Sequence, residues 1–165
     1  MTKTQPKTQP KLSTLQLASP LGPLRLFAAD GAICGVYLPS QTPTQLAADL
    51  PPDPVLQLAA EQLREYFART RRVFTVPLRA TGTEFQHTVW RALLTIPHGE
   101  TRSYGALAHA IARPTASRAV GHANSKNPIS ILVPCHRVIG SDGALTGYAG
   151  GAAAKQWLLA HESAA

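Results

Sequence analysis

The sequence predicts an α+β fold: a small N-terminal α/β unit with an antiparallel sheet, followed by a mainly α C-terminal region that contains a helix-turn-helix. Three observations predict it. Residues 15–39 break short apolar segments with Pro- and Gly-rich turns, the pattern of a β-meander. Two longer stretches, 55–70 and 83–94, repeat apolar residues at the helical spacing. Between Ser103 and Pro128 two short helical segments follow one another across a tight connection, a helix-turn-helix arrangement.

Residues 1–12, rich in Pro, Gln, Thr and Lys, read as a disordered tail. In LQLASPLGPLRLFAADGAICGVYLP the breaks fall at Pro20–Pro23 and Asp30–Gly31. TPTQLAADL has helical spacing, and VLQLAAEQLREYFART carries a stripe of Leu56, Leu58, Ala59, Leu63, Tyr66 and Phe67. VFTVPL reads as one further short strand, so residues 13–80 form the first domain and 81–165 the second. In the second, Thr83 is placed to cap a helix whose apolar face is Phe85, Val89, Trp90, Leu93 and Leu94, and Ile96–Gly99 ends it. Ser103 caps the first helix of the pair, and Pro114 suits the first turn of the second. GALTGYAGG is a glycine-rich loop, and AAAKQWLLAHE a closing helix with Trp157, Leu158 and His161 on one face.

A 165-residue chain with 44% hydrophobic residues can bury a core as one ordinary domain or two small ones. No run reaches the roughly 18 apolar residues of a membrane span, and the N-terminus has no apolar signal segment, so a soluble cytoplasmic protein is expected. Lys and Arg number 16 against 9 Asp and Glu, a formal charge of +7 that favours a polyanion such as nucleic acid. The 2 cysteines, Cys34 and Cys135, supply neither a disulfide framework nor a Cys-rich zinc site.

The chemistry concentrates in ISILVPCHRVIG, residues 129–140. The apolar run reads as a buried strand, stopped by Pro134, that mounts Cys135 at its end. A thiol near neutral pH is mostly protonated and attacks only as thiolate, so it needs a base or nearby positive charge. His136 and Arg137 are adjacent, although neighbours on extended chain point to opposite faces. Among Glu84, Glu100, Asp142 and Glu162, the last lies on the closing helix and is a candidate to orient His136, a pairing the sequence itself does not show. A packing cysteine, a Cys-His hydrolase and a non-catalytic helix-turn-helix DNA-binding protein stay open on this reading.

The stretches GTEFQHTVWRALLTIPHGETRSYGALA, RAVGHANSKNPISILVPCHRVIG, GALTGYAGG and KQWLLAHE resemble the O6-alkylguanine-DNA alkyltransferases, and SPLGPLRL resembles the start of that family's N-terminal domain. The resemblance implies an RNase H-like N-terminal domain and a winged-helix-like C-terminal one. It implies repair of O6-alkylguanine, and of O4-alkylthymine, in double-stranded DNA by irreversible transfer of the alkyl group to the protein's own cysteine, without cofactor or metal. Cys135 is then the acceptor, His136 its base through a water, Glu162 the carboxylate that holds His136, and Tyr104 the residue that helps turn the nucleotide outward and donates to the guanine ring. Arg118 matches the arginine finger, with Ala119, Gly121 and Ala123 as small neighbours for close approach to the minor groove. Asn127 matches a hinge asparagine; Val138, Tyr148, Ala149 and Lys155 match the base pocket.

Two departures stand out: Ala112 replaces a common glycine, which shifts the turn between the two helices, and Ala149 replaces a serine. No extra zinc-bearing domain is expected, and the protein is expected to be a monomer, with cooperative assembly on DNA left open.

Overall fold

The computed structural model describes residues 12–41, 43, 51–145 and 147–163. Residues 1–11 of the expected tail lie outside them, as do 42 and 44–50 of the TPTQLAADL stretch; Leu12, placed in the tail by its polar neighbours, is instead buried against Phe27, Cys34 and Tyr37. Three strands, β1 (Ser13–Leu17), β2 (Leu24–Ala29) and β3 (Ala32–Tyr37), form an antiparallel meander in chain order. The β2–β3 hairpin turns on Asp30 and Gly31, with φ of 51° and 76°. Two successive positive φ values are what a two-residue hairpin turn requires, and Asp-Gly is a pair that supplies them cheaply. Asp53 links this turn to the next element: Oδ2 accepts from Gly31 N at 3.0 Å, while Oδ1 accepts from Val55 N at 3.0 Å and caps α1 (Pro54–Phe67).

Helix α1 lays Val55, Leu56, Ala59, Ala60, Leu63 and Tyr66 against the sheet. Leu58, expected in that stripe, instead faces solvent, because the stripe follows 56, 59, 60 and 63, and position 58 projects from the other side of the helix. VFTVPL is not a strand. Ile33 N donates to Pro77 O at 2.8 Å and Arg79 N to Ile33 O at 2.8 Å, a single bridge to β3 at Leu78. Pro77 has no N–H with which to extend a ladder, and the Gln62 amide of α1 captures Thr75 instead, through both its N–H and its hydroxyl.

The C-terminal half is mainly helical. Thr83 and Gln86 form a reciprocal capping box on α2 (Glu84–Leu93), and Val89, Trp90 and Leu93 are buried, while Leu94, expected on that face, lies past the helix end and is 52% exposed. Strand β4 (Arg102–Ser103) leads into α3 (Tyr104–Ala110), capped by Ser103 Oγ from Ala106 N at 3.0 Å. Helix α4 (Ser117–Ser125) follows, and Trp90 Nε1 of α2 donates to its Ala123 O at 2.9 Å. Ala123 therefore faces the core rather than a nucleic acid. Pro114 is not in the first turn of α4. It sits second in the Arg113–Ala116 β-turn, closed by Ala116 N to Arg113 O at 2.9 Å, where a fixed φ near −65° is favourable.

Helix α3 ends in a Schellman motif, with Arg113 N on Ala108 O at 2.9 Å and Ala112 N on His109 O at 3.0 Å. The turn needs Ala112 at φ 59°, so the alanine keeps the left-handed conformation natural to glycine. Ala112→Gly is accordingly expected to raise the unfolding free energy by about 1 kcal/mol, read from denaturant midpoints at unchanged slope.

The ISILV run is likewise not a strand. Val36 N donates to Pro128 O and Ser130 N to Val36 O, one bridge to β3, and the chain then doubles back at Ile131. Cys135–Arg137 form one turn of 3₁₀ helix, followed by β5 (Val138–Ile139), parallel to β4. Helix α5 (Ala152–Ser163) closes the fold. A continuous core joins both halves, with Leu26, Val36, Leu56 and Tyr66 in the same cluster as Val89, Val120, Ile129 and Leu158. Cys34 is buried on the opposite sheet face with Leu12, Phe27 and Tyr37. Among the described residues no helix is long and apolar enough to cross a membrane.

Candidate active site

The side chain of Asn127 replaces the expected strand as the mount for Cys135. Its Nδ2 donates to Val133 O at 2.9 Å and Ile129 O at 3.3 Å, and its Oδ1 accepts from Ile129 N at 3.0 Å. One amide thus cross-links both ends of the ISILV loop. Inside the loop Leu132 N reaches Ser130 O at 2.9 Å around Ile131, whose φ of 73° is a strained conformation for a β-branched residue. Pro134, at φ −82° and ψ 63°, makes an inverse γ-turn from Val133 O to Cys135 N at 2.8 Å. Asn124 of α4 fixes the far side, with Nδ2 on Cys135 O at 3.2 Å. Backbone strain of this kind persists only where the surroundings over-determine it, and here two buried asparagines do so.

Behind the cysteine lies a buried ionic cluster. His136 Nε2 is 2.7 Å from Glu162 Oε1. Arg137 Nε donates to Glu162 Oε2 at 2.9 Å, its Nη2 to Oε1 at 2.9 Å and its Nη1 to Ile96 O at 2.7 Å. Tyr66 of α1 donates its hydroxyl to Glu162 Oε1 at 2.9 Å. Burial alone would raise the Glu162 pKa, but the hydrogen bonds and charges of His136 and Arg137 outweigh it and hold the carboxyl well below its usual range. Burial pushes His136 down against the upward pull of Glu162, so the ring is neutral at pH 7. An ionised carboxylate can only accept, which assigns the ring proton to Nε2 and the lone pair to Nδ1. Nδ1 is buried and makes no hydrogen bond among the described residues.

Burial pushes the Cys135 thiol up to about 11, with the Asn127 amide, the Lys155 charge and the backbone N–H groups of Cys135 and His136 pulling the other way. The resting group is therefore a thiol, only 4% exposed, and any nucleophilic use of the sulfur requires its proton to be removed. Lys155, fully buried on α5, places Nζ 5.8 Å from the Tyr104 ring centroid; burial lowers its pKa and Cys135 raises it. Tyr104, at the start of α3, packs its ring over Gly121 of α4, where a Cβ would lie 3.7 Å from Cδ1 and Cε1. Its hydroxyl would lie 3.2 Å from a Cβ at Gly147 in the glycine-rich loop. Burial and the neighbouring Cys135 both raise its pKa.

The family model for the DNA-binding domain of 6-O-methylguanine DNA methyltransferase matches residues 84–164, and the model for that protein's ribonuclease-like domain matches residues 14–80. The chain belongs to the 6-O-methylguanine DNA methyltransferase family. It is 50% identical over 142 residues to a methylated-DNA–protein-cysteine methyltransferase of Mycobacterium tuberculosis, covering 86% of each chain, and 44% identical over 145 residues to one from Methanosarcina barkeri, covering 87% and 92%. The structure of the M. tuberculosis protein OGT in complex with DNA superposes with a TM-score of 0.81 at 48% identity, over 93% of this chain and 92% of that one.

In this member of the 6-O-methylguanine DNA methyltransferases, Cys135, His136, Glu162, Asn127, Tyr104, Val138, Tyr148 and Lys155 are all buried or half-buried. Arg118 and Ala119 project from the first turn of α4 into solvent, and Ala149 is exposed on the glycine-rich loop. Three contributors escaped the sequence. Arg137, which adjacency offered as a positive charge for the thiol, turns to Glu162 because the 3₁₀ turn rotates it away from extended chain. Asn124 had no signal beyond its place on α4. Tyr66 was visible only as part of an apolar stripe, 96 residues from its partner.

Proposed function

We propose that this protein repairs O6-alkylguanine, and O4-alkylthymine, in double-stranded DNA by taking the alkyl group onto Cys135 Sγ, once per molecule. The observation that carries the reading is the buried His136–Glu162 pair next to Cys135, with Tyr104 of the helix-turn-helix near enough to the thiol for its charge to be felt. Glu162 holds His136 with Nδ1 unprotonated, so His136 accepts the thiol proton, through a bridging water, as sulfur attacks the alkyl carbon in line. The S–C bond forms as the C–O6 bond breaks, and the electron pair passes into the guanine, where the Tyr104 hydroxyl donates a proton toward the ring. The product is a thioether, which water does not cleave, so no step returns the thiol.

Arg118 and Ala119 on the outer face of α4 enter the minor groove, and Arg118 fills the gap left by the extruded nucleotide. Extrusion costs a few kcal/mol, least for a damaged pair, and so adds to selectivity. Val138, Tyr148, Ala149 and Lys155 line the base pocket; Asn127 is the hinge that braces the cysteine loop, and Asn124 ties that loop to α4. The match of separate family models to residues 14–80 and 84–164 supports a division near residue 80. The formal charge of +7 fits a DNA partner, and we read the protein as a cytoplasmic monomer that can assemble along DNA.

Cys135→Ser tests the assignment. The variant is expected to bind a duplex carrying O6-methylguanine within about threefold of wild type while restoring no guanine, since a serine hydroxyl is far harder to ionise than a thiol. Guanine restored at the wild-type rate would remove Cys135 from the reaction.

A further inference from the structure

We propose that Tyr66, on α1 of the N-terminal half, is a positioning residue for alkyl transfer, its hydroxyl holding Glu162 so that His136 stays in its base form. The inference rests on reading Cys135 as acceptor and His136 as its base.

Oε1 of Glu162 takes three donors, from His136 Nε2 at 2.7 Å, Arg137 Nη2 at 2.9 Å and Tyr66 Oη at 2.9 Å. Two of these come from the 3₁₀ turn that carries Cys135; Tyr66 alone comes from the N-terminal half. Tyr66 is 1% exposed and is itself fixed. Its carbonyl oxygen is 2.9 Å from His161 Nε2, and its ring packs on Phe74, His98 and His161. Burial and Glu162 both keep the phenol protonated, so it donates throughout the physiological range.

Each donor draws negative charge from the carboxylate and leaves it a weaker partner for the imidazolium form of His136. Phenylalanine at position 66 preserves the ring packing and removes one donor. Glu162 then stabilises protonated His136 more strongly, and the base is lost at a higher pH than in the wild type. Other charged and titratable groups face this cluster. Arg137 and Lys155 press on His136, and His98, His161 and Tyr148 surround Tyr66 and Glu162. The measurement therefore has to observe His136 itself as well as the reaction.

The rate constant for alkylation of Cys135 by free O6-methylguanine is measured against pH for the full-length wild type and Tyr66→Phe, alongside ¹⁵N NMR titration of the His136 ring. The acid limb and the His136 midpoint are expected to move up together by roughly one pH unit, with the alkaline plateau kept within about threefold. Replacement of Tyr66 by 3-fluorotyrosine, a stronger donor on the same ring, is expected to move both down. A uniformly lower rate with unmoved midpoints, or shifts of the opposite sign, would overturn the inference and leave Tyr66 as interface packing. Absence of a Cys135 adduct in the wild type, with duplex as with free base, would remove the functional reading and this inference with it; a reactive wild type with an unmoved limb in the Phe variant would overturn this inference alone.

Discussion

Replacing Glu162 by glutamine is expected to lower the unfolding free energy by about 3–5 kcal/mol, among the largest effects of any single substitution in the molecule. Arg137 is 6% exposed and makes two of its three hydrogen bonds to this carboxylate. Without the charge, a guanidinium stays buried and uncompensated. The pH dependence follows from the lowered pKa of Glu162. A carboxyl whose folded pKa lies below its unfolded value contributes stability that is complete above the ordinary value of 4.5 and is lost as pH falls from there through the folded pKa. Urea denaturation of wild type and Glu162→Gln should thus diverge most near neutrality and converge as the pH drops below about 4. His136 is left with a neutral amide oxygen in place of its charged acceptor, and the transfer rate is expected to fall roughly 100-fold. A variant with wild-type stability would mean that Arg137 finds another counter-charge.

Arg118→Ala should separate DNA engagement from chemistry. Arg118 is exposed on α4, so its truncation is expected to change stability by no more than about 0.5 kcal/mol. Repair of O6-methylguanine within a duplex should fall roughly 10- to 100-fold, the equivalent of losing part of the few kcal/mol that extrusion requires. Reaction of the same variant with free O6-methylguanine, which needs no extrusion, should proceed at the wild-type rate. Equal losses on both substrates would place Arg118 in the chemistry, and unchanged duplex repair would refute its role in extrusion.

The features legible in the sequence are those set by local chemistry. Asp30–Gly31 marked its hairpin because few other pairs accept two positive φ values, and Thr83 marked the start of α2 because an uncapped helix end needs an acceptor. Glu162 was reachable by elimination among few carboxylates. The ISILV run is ambiguous because apolar residues are buried equally well in a strand or a tightly turned loop, and the Asn127 amide, bonded to Ile129 and Val133, together with the loop's own backbone bonds, favours the loop. Pro114 suggests a helix start through its fixed φ, but the same φ serves the second position of a β-turn, which is where it sits. Tyr66 and Arg137 are hidden for different reasons. The role of Tyr66 depends on α1 meeting α5 across the core, and no spacing along the chain reports a contact 96 residues apart; that of Arg137 depends on a 3₁₀ turn where the apolar run suggests extended chain.

Central to all of this is Cys135 as the stoichiometric acceptor of an alkyl group. Intact-mass spectrometry of the protein after incubation with excess duplex carrying O6-methylguanine tests that most directly, with peptide mapping to place any added mass. The expected result is a gain of one methyl group per molecule, located on Cys135 and absent from the buried Cys34, with restored guanine reaching a plateau at one per protein. An unmodified protein that goes on restoring guanine beyond one equivalent, or an adduct on any other residue, would contradict it.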